Sequence, residues 1–129
     1  MTCVSSSSVW SAVAITEASH DITRGLRGFD TVDELYFKQS GDEPITPLAV
    51  ARSKITGRDE PMAWAHDYGR GRVFQTVLGH SAESVRRAAP LMRRGSAWAA
   101  GLPPLSFDPP PALLDHATFR NGAPWKPTR

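Results

Sequence analysis

One cysteine, Cys3, is all that the 129 residues contain, so an internal disulfide and a Cys-based zinc site are both excluded. Net charge is nearly lacking too: 15 Lys+Arg against 13 Asp+Glu leave +2, an excess too small and scattered to argue for nucleic acid, although arginine outnumbers lysine twelve to three. No apolar run approaches the ~18 residues that span a bilayer. The opening "MTCVSSSSVWSAVAI" has neither the basic start nor the continuous apolar core of a secretion signal. The expectation is a soluble cytoplasmic protein with no membrane or nucleic-acid partner, and with neither a cofactor nor a metal.

What is present suits one domain. The hydrophobic fraction of 40% fits a packed core. Most of the 11 prolines fall after residue 101, which divides the chain into a flexible leader over 1–8, a folded part over 9–101 and a Pro-rich tail over 102–129. A domain of roughly 80 to 100 residues buries only about 60 to 65% of its unfolded surface, a modest margin for stability. In the tail the prolines favour extended or polyproline II segments, with "PALLDHATF" as a possible helical turn.

Strand signals stand in four places: "VWSAVAI" at 9–15, "PLAVAR" at 47–52, "PMAWAH" at 61–66 and "RVFQTVLG" at 72–79. The intervening "DYGRGR" predicts an antiparallel hairpin, because its glycines accept positive φ. Strands that are apolar on both sides ask for cover on both faces. Only one convincing helix is available. Ser81 predicts an N-cap for a short turn "AESVRRA", and Pro90 fits the first position of "PLMRRGSAWAAG". Leu91, Gly95 and Trp98 make a stripe toward the sheet, Arg93 and Arg94 point to solvent, and Gly101 ends the helix. Trp64 and Phe74 read as core residues of the hairpin.

Four blocks, "HDITRGL" (20–26), "DELYF" (33–37), "GRDEPMAWAHDYGRGRVFQTVLGH" (57–80) and "RRGSAWAAG" (93–101), stand in an order that resembles the C-terminal half of the ThuA-like, trehalose-utilisation family. Two positions depart from its pattern: Asp21 replaces the usual proline, and Gln75 sits where an aromatic is common. The resemblance implies a fold similar to class I glutamine amidotransferases, an α/β three-layer sandwich with a flavodoxin-like parallel sheet, of which this chain carries a part ending in a β-hairpin and helix. It also implies that the opening βα units are not in this sequence, as in a truncated product, a misplaced start or a split subunit. A homo-oligomer or a partner chain would then cover exposed sheet.

Ligands of open α/β sheets bind beyond the carboxyl ends of strands, which makes His80, directly after "RVFQTVLG", the first candidate for a catalytic group. Its alternative is structural, capping the next helix or bonding a loop carbonyl. Glu83, three residues on, invites comparison with the His and Glu of amidotransferases, but those enzymes also need a nucleophilic cysteine, and Cys3 lies in a Ser-rich leader. Amidotransferase chemistry is therefore not expected. Glu34 is the second catalytic candidate, with Asp33, Tyr36 and His20 as substrate-binding candidates, since carboxylates beside a tyrosine serve acid/base work or sugar-hydroxyl binding. The plainer alternative has Asp33 capping a turn and Glu34 pairing with an arginine. Thr23 reads as a turn organiser, and His66 and His116 as structural. Two functions remain open: a carbohydrate-utilisation domain that binds or transforms a sugar-like ligand at the sheet's carboxyl edge, or a non-catalytic remnant or interaction subunit that needs a partner to complete its fold.

Overall fold

The computed structural model describes residues 4–5, 9–17 and 19–109. Cys3, His116, the "PALLDHATF" segment and all of the tail beyond residue 109 therefore lie outside the described residues.

Five strands form one sheet in the order β3-β2-β5-β6-β7, where β2 is Val9–Ile15, β3 Phe29–Asp33, β5 Thr46–Arg52, β6 Asp59–Tyr68 and β7 Gly71–Thr76. A separate two-residue pairing joins β1 (Val4–Ser5) to β4 (Tyr36–Phe37). The four expected strands are all present. Their pairing is antiparallel throughout, as each of the sheet's four ladders shows. Sheet and helix together bear out an α/β character, but no parallel pair occurs among the described residues. The reason is the connections. A parallel neighbour needs a crossover of a dozen or more residues, usually helical, and the one α-helix among the described residues follows the last strand instead of linking two.

β6 carries the centre of the core. Met62, Ala63, Trp64 and Ala65 are all buried in succession, so both faces of this strand are covered. Its hairpin with β7 closes at Tyr68 opposite Gly71, and Gly69 has φ of 58°, the sign that a tight two-residue turn needs at its first central position. Pro47 lies where the β5–β6 ladder breaks register, which is where an interior strand tolerates a proline. One face of the sheet packs on the helix, and the other is crossed by the 34–45 segment, anchored where the Gln39 side-chain amide donates to the Pro61 carbonyl at 2.8 Å.

The helix corrects the expected boundary. α1 runs unbroken over Ala82–Ala99, with Pro90 inside it, instead of restarting there. An interior proline forfeits the bond that residue 90 would donate to the Arg86 carbonyl, a cost of about 3 kcal/mol. The helix continues because Ser84, Ala88, Leu91 and Gly95 form one buried stripe at i, i+4, i+7 and i+11 that spans the proline and anchors both halves. Ser81 is the N-cap, its hydroxyl accepting from the Ser84 amide at 3.1 Å. At the far end the Gly101 amide donates to Trp98 O and the Leu102 amide to Ala97 O, the paired bonds of a Schellman motif. Arg93 and Arg94 do not simply face solvent: both are partly buried and pair with Asp108, at 3.4 and 3.3 Å.

Gly95 decides how closely helix and hairpin approach. A Cβ there would lie 2.4 Å from the Phe74 ring, so any side chain must displace either that ring or α1. We expect Gly95→Val to destabilise the chain by about 1 to 3 kcal/mol through overpacking. Thermal melting checks this, and an unchanged midpoint would show that the helix seat is looser than the geometry says.

Candidate functional site

The two outer strands of the sheet, β3 and β7, are not neighbours in the ladder, yet their carboxyl ends meet. Asp33 is the last residue of β3 and is 1% exposed. Its Oδ2 accepts from the Gly79 amide at 2.8 Å and from the Ser84 hydroxyl. Its Oδ1 accepts from the Glu34 amide at 2.9 Å, the His80 amide at 3.2 Å and His80 Nδ1 at 2.8 Å. Gly79 has φ of 124°, a value that L side chains rarely adopt, and this backbone turns two consecutive amides toward one carboxylate. Burial by itself would raise the Asp33 pKa. The bonds from Ser84, Gly79 and His80 outweigh it and hold the carboxyl below its ordinary value.

An ionised Asp33 fixes the proton on its neighbour. A carboxylate only accepts, so His80 Nδ1 carries the hydrogen and the lone pair of a neutral ring lies on Nε2. Nε2 meets the Tyr36 hydroxyl at 2.9 Å, and Glu34 Oε2 is 4.0 Å from it. The His80 side chain is 34% exposed and that of Glu34 40%, whereas Asp33's is wholly covered. A cleft of about 430 Å³ opens in front, lined by Tyr36, Gln39, Thr76, Val77, Leu78, Gly79 and His80. The chain thus presents a hydrogen-bond acceptor oriented by a buried charge, with a phenol and a second carboxylate beside it.

Four of the five sequence candidates, Asp33, Glu34, Tyr36 and His80, come together here. His20 does not. Its carbonyl accepts from the Thr23 and Arg24 amides at 3.0 and 2.9 Å, its Nδ1 accepts from the Ile22 amide, and its ring lies 5.3 Å from Trp98, so it organises the 20–25 turn against the helix instead. Thr23 is buried in that turn, its hydroxyl donating to the Glu17 carbonyl. Glu83 is taken up by Arg86 and Arg87, at 2.5 and 2.6 Å, and those bonds lower its pKa. Asp33 does more than cap a turn. Sequence reasoning missed Ser84, whose only signal was its place on the buried helix stripe, three residues after the N-cap. No group of three or more His, Cys, Asp or Glu side chains among the described residues converges to hold a metal ion, and no helix among them is long and apolar enough to cross a membrane.

Comparison with known proteins adds a family. The trehalose-utilisation family, ThuA, matches residues 6–99. The chain is similar to the crystal structure of a ThuA-like protein from Parabacteroides merdae, at 26% identity and a TM-score of 0.66; the match covers 78% of this chain and 42% of that one. The chain therefore spans less than half the length of that relative. No curated protein matches.

Proposed function

Because the chain belongs to the ThuA, or trehalose-utilisation, family, we propose that the Asp33–His80–Tyr36 cluster binds a sugar-like ligand and places one of its hydroxyls on His80 Nε2. The observation that carries this reading is the buried Asp33 carboxylate on His80 Nδ1, which keeps the opposite nitrogen a lone-pair acceptor, held to Tyr36 beside the cleft that both residues line. A sugar hydroxyl that displaces the Tyr36 hydroxyl would donate there, and Glu34 would accept a second. If the hydroxyl proton is taken by Nε2, the resulting imidazolium lies against an anion already in position, which lowers the cost of the transfer. Recognition of this kind uses carboxylates and aromatic rims more than basic clusters, in keeping with the residues present.

The five-stranded antiparallel sheet reads, on this proposal, as one part of a larger flavodoxin-like domain of the amidotransferase-like kind, in keeping with the match covering only 42% of the P. merdae relative. One observation favours the second reading, an interaction subunit: Leu102, Leu105 and Phe107 are exposed by 44, 60 and 46% in a row at the end of the helix. A single experiment separates the two. Calorimetry of the 129-residue chain with trehalose and with related and oxidised sugars should show binding, and Glu34→Ala should weaken it by about 3- to 10-fold, the loss of one hydrogen bond of about 1 kcal/mol at a solvent-exposed side chain. No heat with any sugar would favour the interaction reading.

A further inference from the structure

Half of the chain's twelve arginines, Arg24, Arg27, Arg86, Arg87, Arg93 and Arg94, stand in the 20–27 segment and on α1, and the cluster at His80 uses none of them. The two regions touch. Arg94 donates to the Arg24 carbonyl at 2.8 Å, and Arg87 donates to the Asp30 carbonyl at 3.1 Å. A cavity of about 190 Å³ lies there, walled by Ile15, Leu26, Phe29, Pro90 and Leu91. Leu91 is buried, whereas Ile15, Leu26 and Phe29 are only half-buried, packed against the core and still lining this opening. Arg27 and Arg87 supply all the charge that lines it among the described residues. Phe29 begins β3 and Asp33 ends it, and no residue lines both this cavity and the cleft at His80.

The charge around the cavity is one-sided. Glu83 is shared by Arg86 and Arg87, and Asp108 by Arg93 and Arg94, so in these contacts guanidiniums outnumber the carboxylates they hold. Arg27 is exposed and makes no ion pair among the described residues. The acids of the adjoining turn, Glu17 and Asp21, are turned to Ser19 and Arg24. Asp30 follows Phe29 in β3 and so belongs to the other face of the sheet. Size then decides the kind of ligand. Sites for whole small molecules start at about 300 Å³, and an apolar cavity below that takes a single side chain. Such anchors carry most of the energy of protein interfaces, while a charged surround steers the partner and fixes its register. Arginine suits that surround better than lysine, because its planar fork takes a carboxylate through two parallel N–H bonds. A nucleic acid would meet the same charges, but the apolar wall offers the edge of a base nothing to pair with.

We propose that this cavity docks an acidic segment of a partner protein, which seats one leucine or phenylalanine side chain among Leu26, Phe29 and Pro90 and sets its carboxylates against Arg27 and the positive charge along α1. The proposal is independent of the sugar reading. An NMR titration of the 129-residue chain at low salt tests it with three acetylated peptides, Asp-Glu-X-Asp-Glu-Asp, in which X is leucine, phenylalanine or alanine. The first two should move the amide signals of Leu26, Phe29 and Leu91 and bind at least about 10-fold more tightly than the third, the worth of one anchor side chain. Arg27→Glu should weaken them about 10-fold, while Arg58→Glu, in the β5–β6 connection, should leave them within about 2-fold. Arg27 holds no carboxylate in the fold, so its reversal tests docking and not folding. Equal affinity for the three peptides, equal weakening by the two charge reversals, or no shift at about 1 mM peptide would overturn the proposal. So would an oligothymidylate that moves the same signals at lower concentration than any peptide, which would make this face a nucleic-acid contact.

Discussion

Asp33→Ala is expected to cost the folded chain about 3 to 5 kcal/mol, more than any other single substitution near the site. The carboxylate accepts from the amides of Glu34, Gly79 and His80, the Ser84 hydroxyl and the His80 ring. Alanine leaves buried donors without an acceptor and opens a void where water does not reach. Against a typical total of 5 to 15 kcal/mol, that loss unfolds a substantial fraction of the chain at 37 °C. Denaturant unfolding of wild type and variant measures it, and a difference under 1 kcal/mol would mean that the network is not formed as described. The same group sets an acid limit. Its folded pKa is lowered, so its contribution to stability is complete above the ordinary carboxylate value of about 3.9 and is lost as pH falls through the lower folded value. The gap in melting temperature between wild type and Asp33→Asn should therefore narrow on acidification below that value. A gap that stays constant from neutral pH down to the wild type's acid transition would contradict this linkage.

His80→Ala should separate binding from stability. The ring is one of several donors to Asp33 and is partly exposed, and the His80 backbone amide remains in place, so the fold should lose only about 1 kcal/mol. Ligand affinity, on the proposed reading, should fall about 10- to 100-fold, because Nε2 would accept the ligand hydroxyl and Asp33 behind the ring strengthens that bond. Melting and calorimetry run side by side decide it. A large drop in melting temperature with a proportionate drop in binding would make His80 a structural residue and remove it from the site.

Some of this was legible in the chain and some was not, for reasons that differ by residue. The hairpin was readable because its signal is local: two apolar runs and a glycine turn within 20 residues. The helix end was readable from Gly101 alone. β3 was not, since two of its inward positions are Thr31 and Asp33, so the buried face of "FDTVD" carries no apolar alternation. Pro90 misled because the preference for a helix start is a local rule, and the buried stripe that overrides it is a tertiary fact. Asp33, Glu34, Tyr36 and His80 were singled out, but their meeting spans 44 to 47 residues and rests on the sheet bringing its two ends together. The cavity beside Pro90 left no trace in the sequence, because its wall is drawn from β2, the 26–29 segment and α1, which only the fold brings together.

The bridge from the end of β3 to the residues after β7 has a further consequence for how the molecule meets copies of itself. These are the two edge strands of the sheet, and α1 packs against both. An open sheet edge is a template for strands of other molecules. Here the end of one edge strand is tied by one carboxylate to the turn that follows the other and to the first turn of α1, so Asp33 joins the two margins of the sheet as well as supporting the site. Acidification that protonates it weakens the tie between the two ends while β3 stays paired with β2 and β7 with β6, so the two margins of the sheet loosen at the same point and at the same pH.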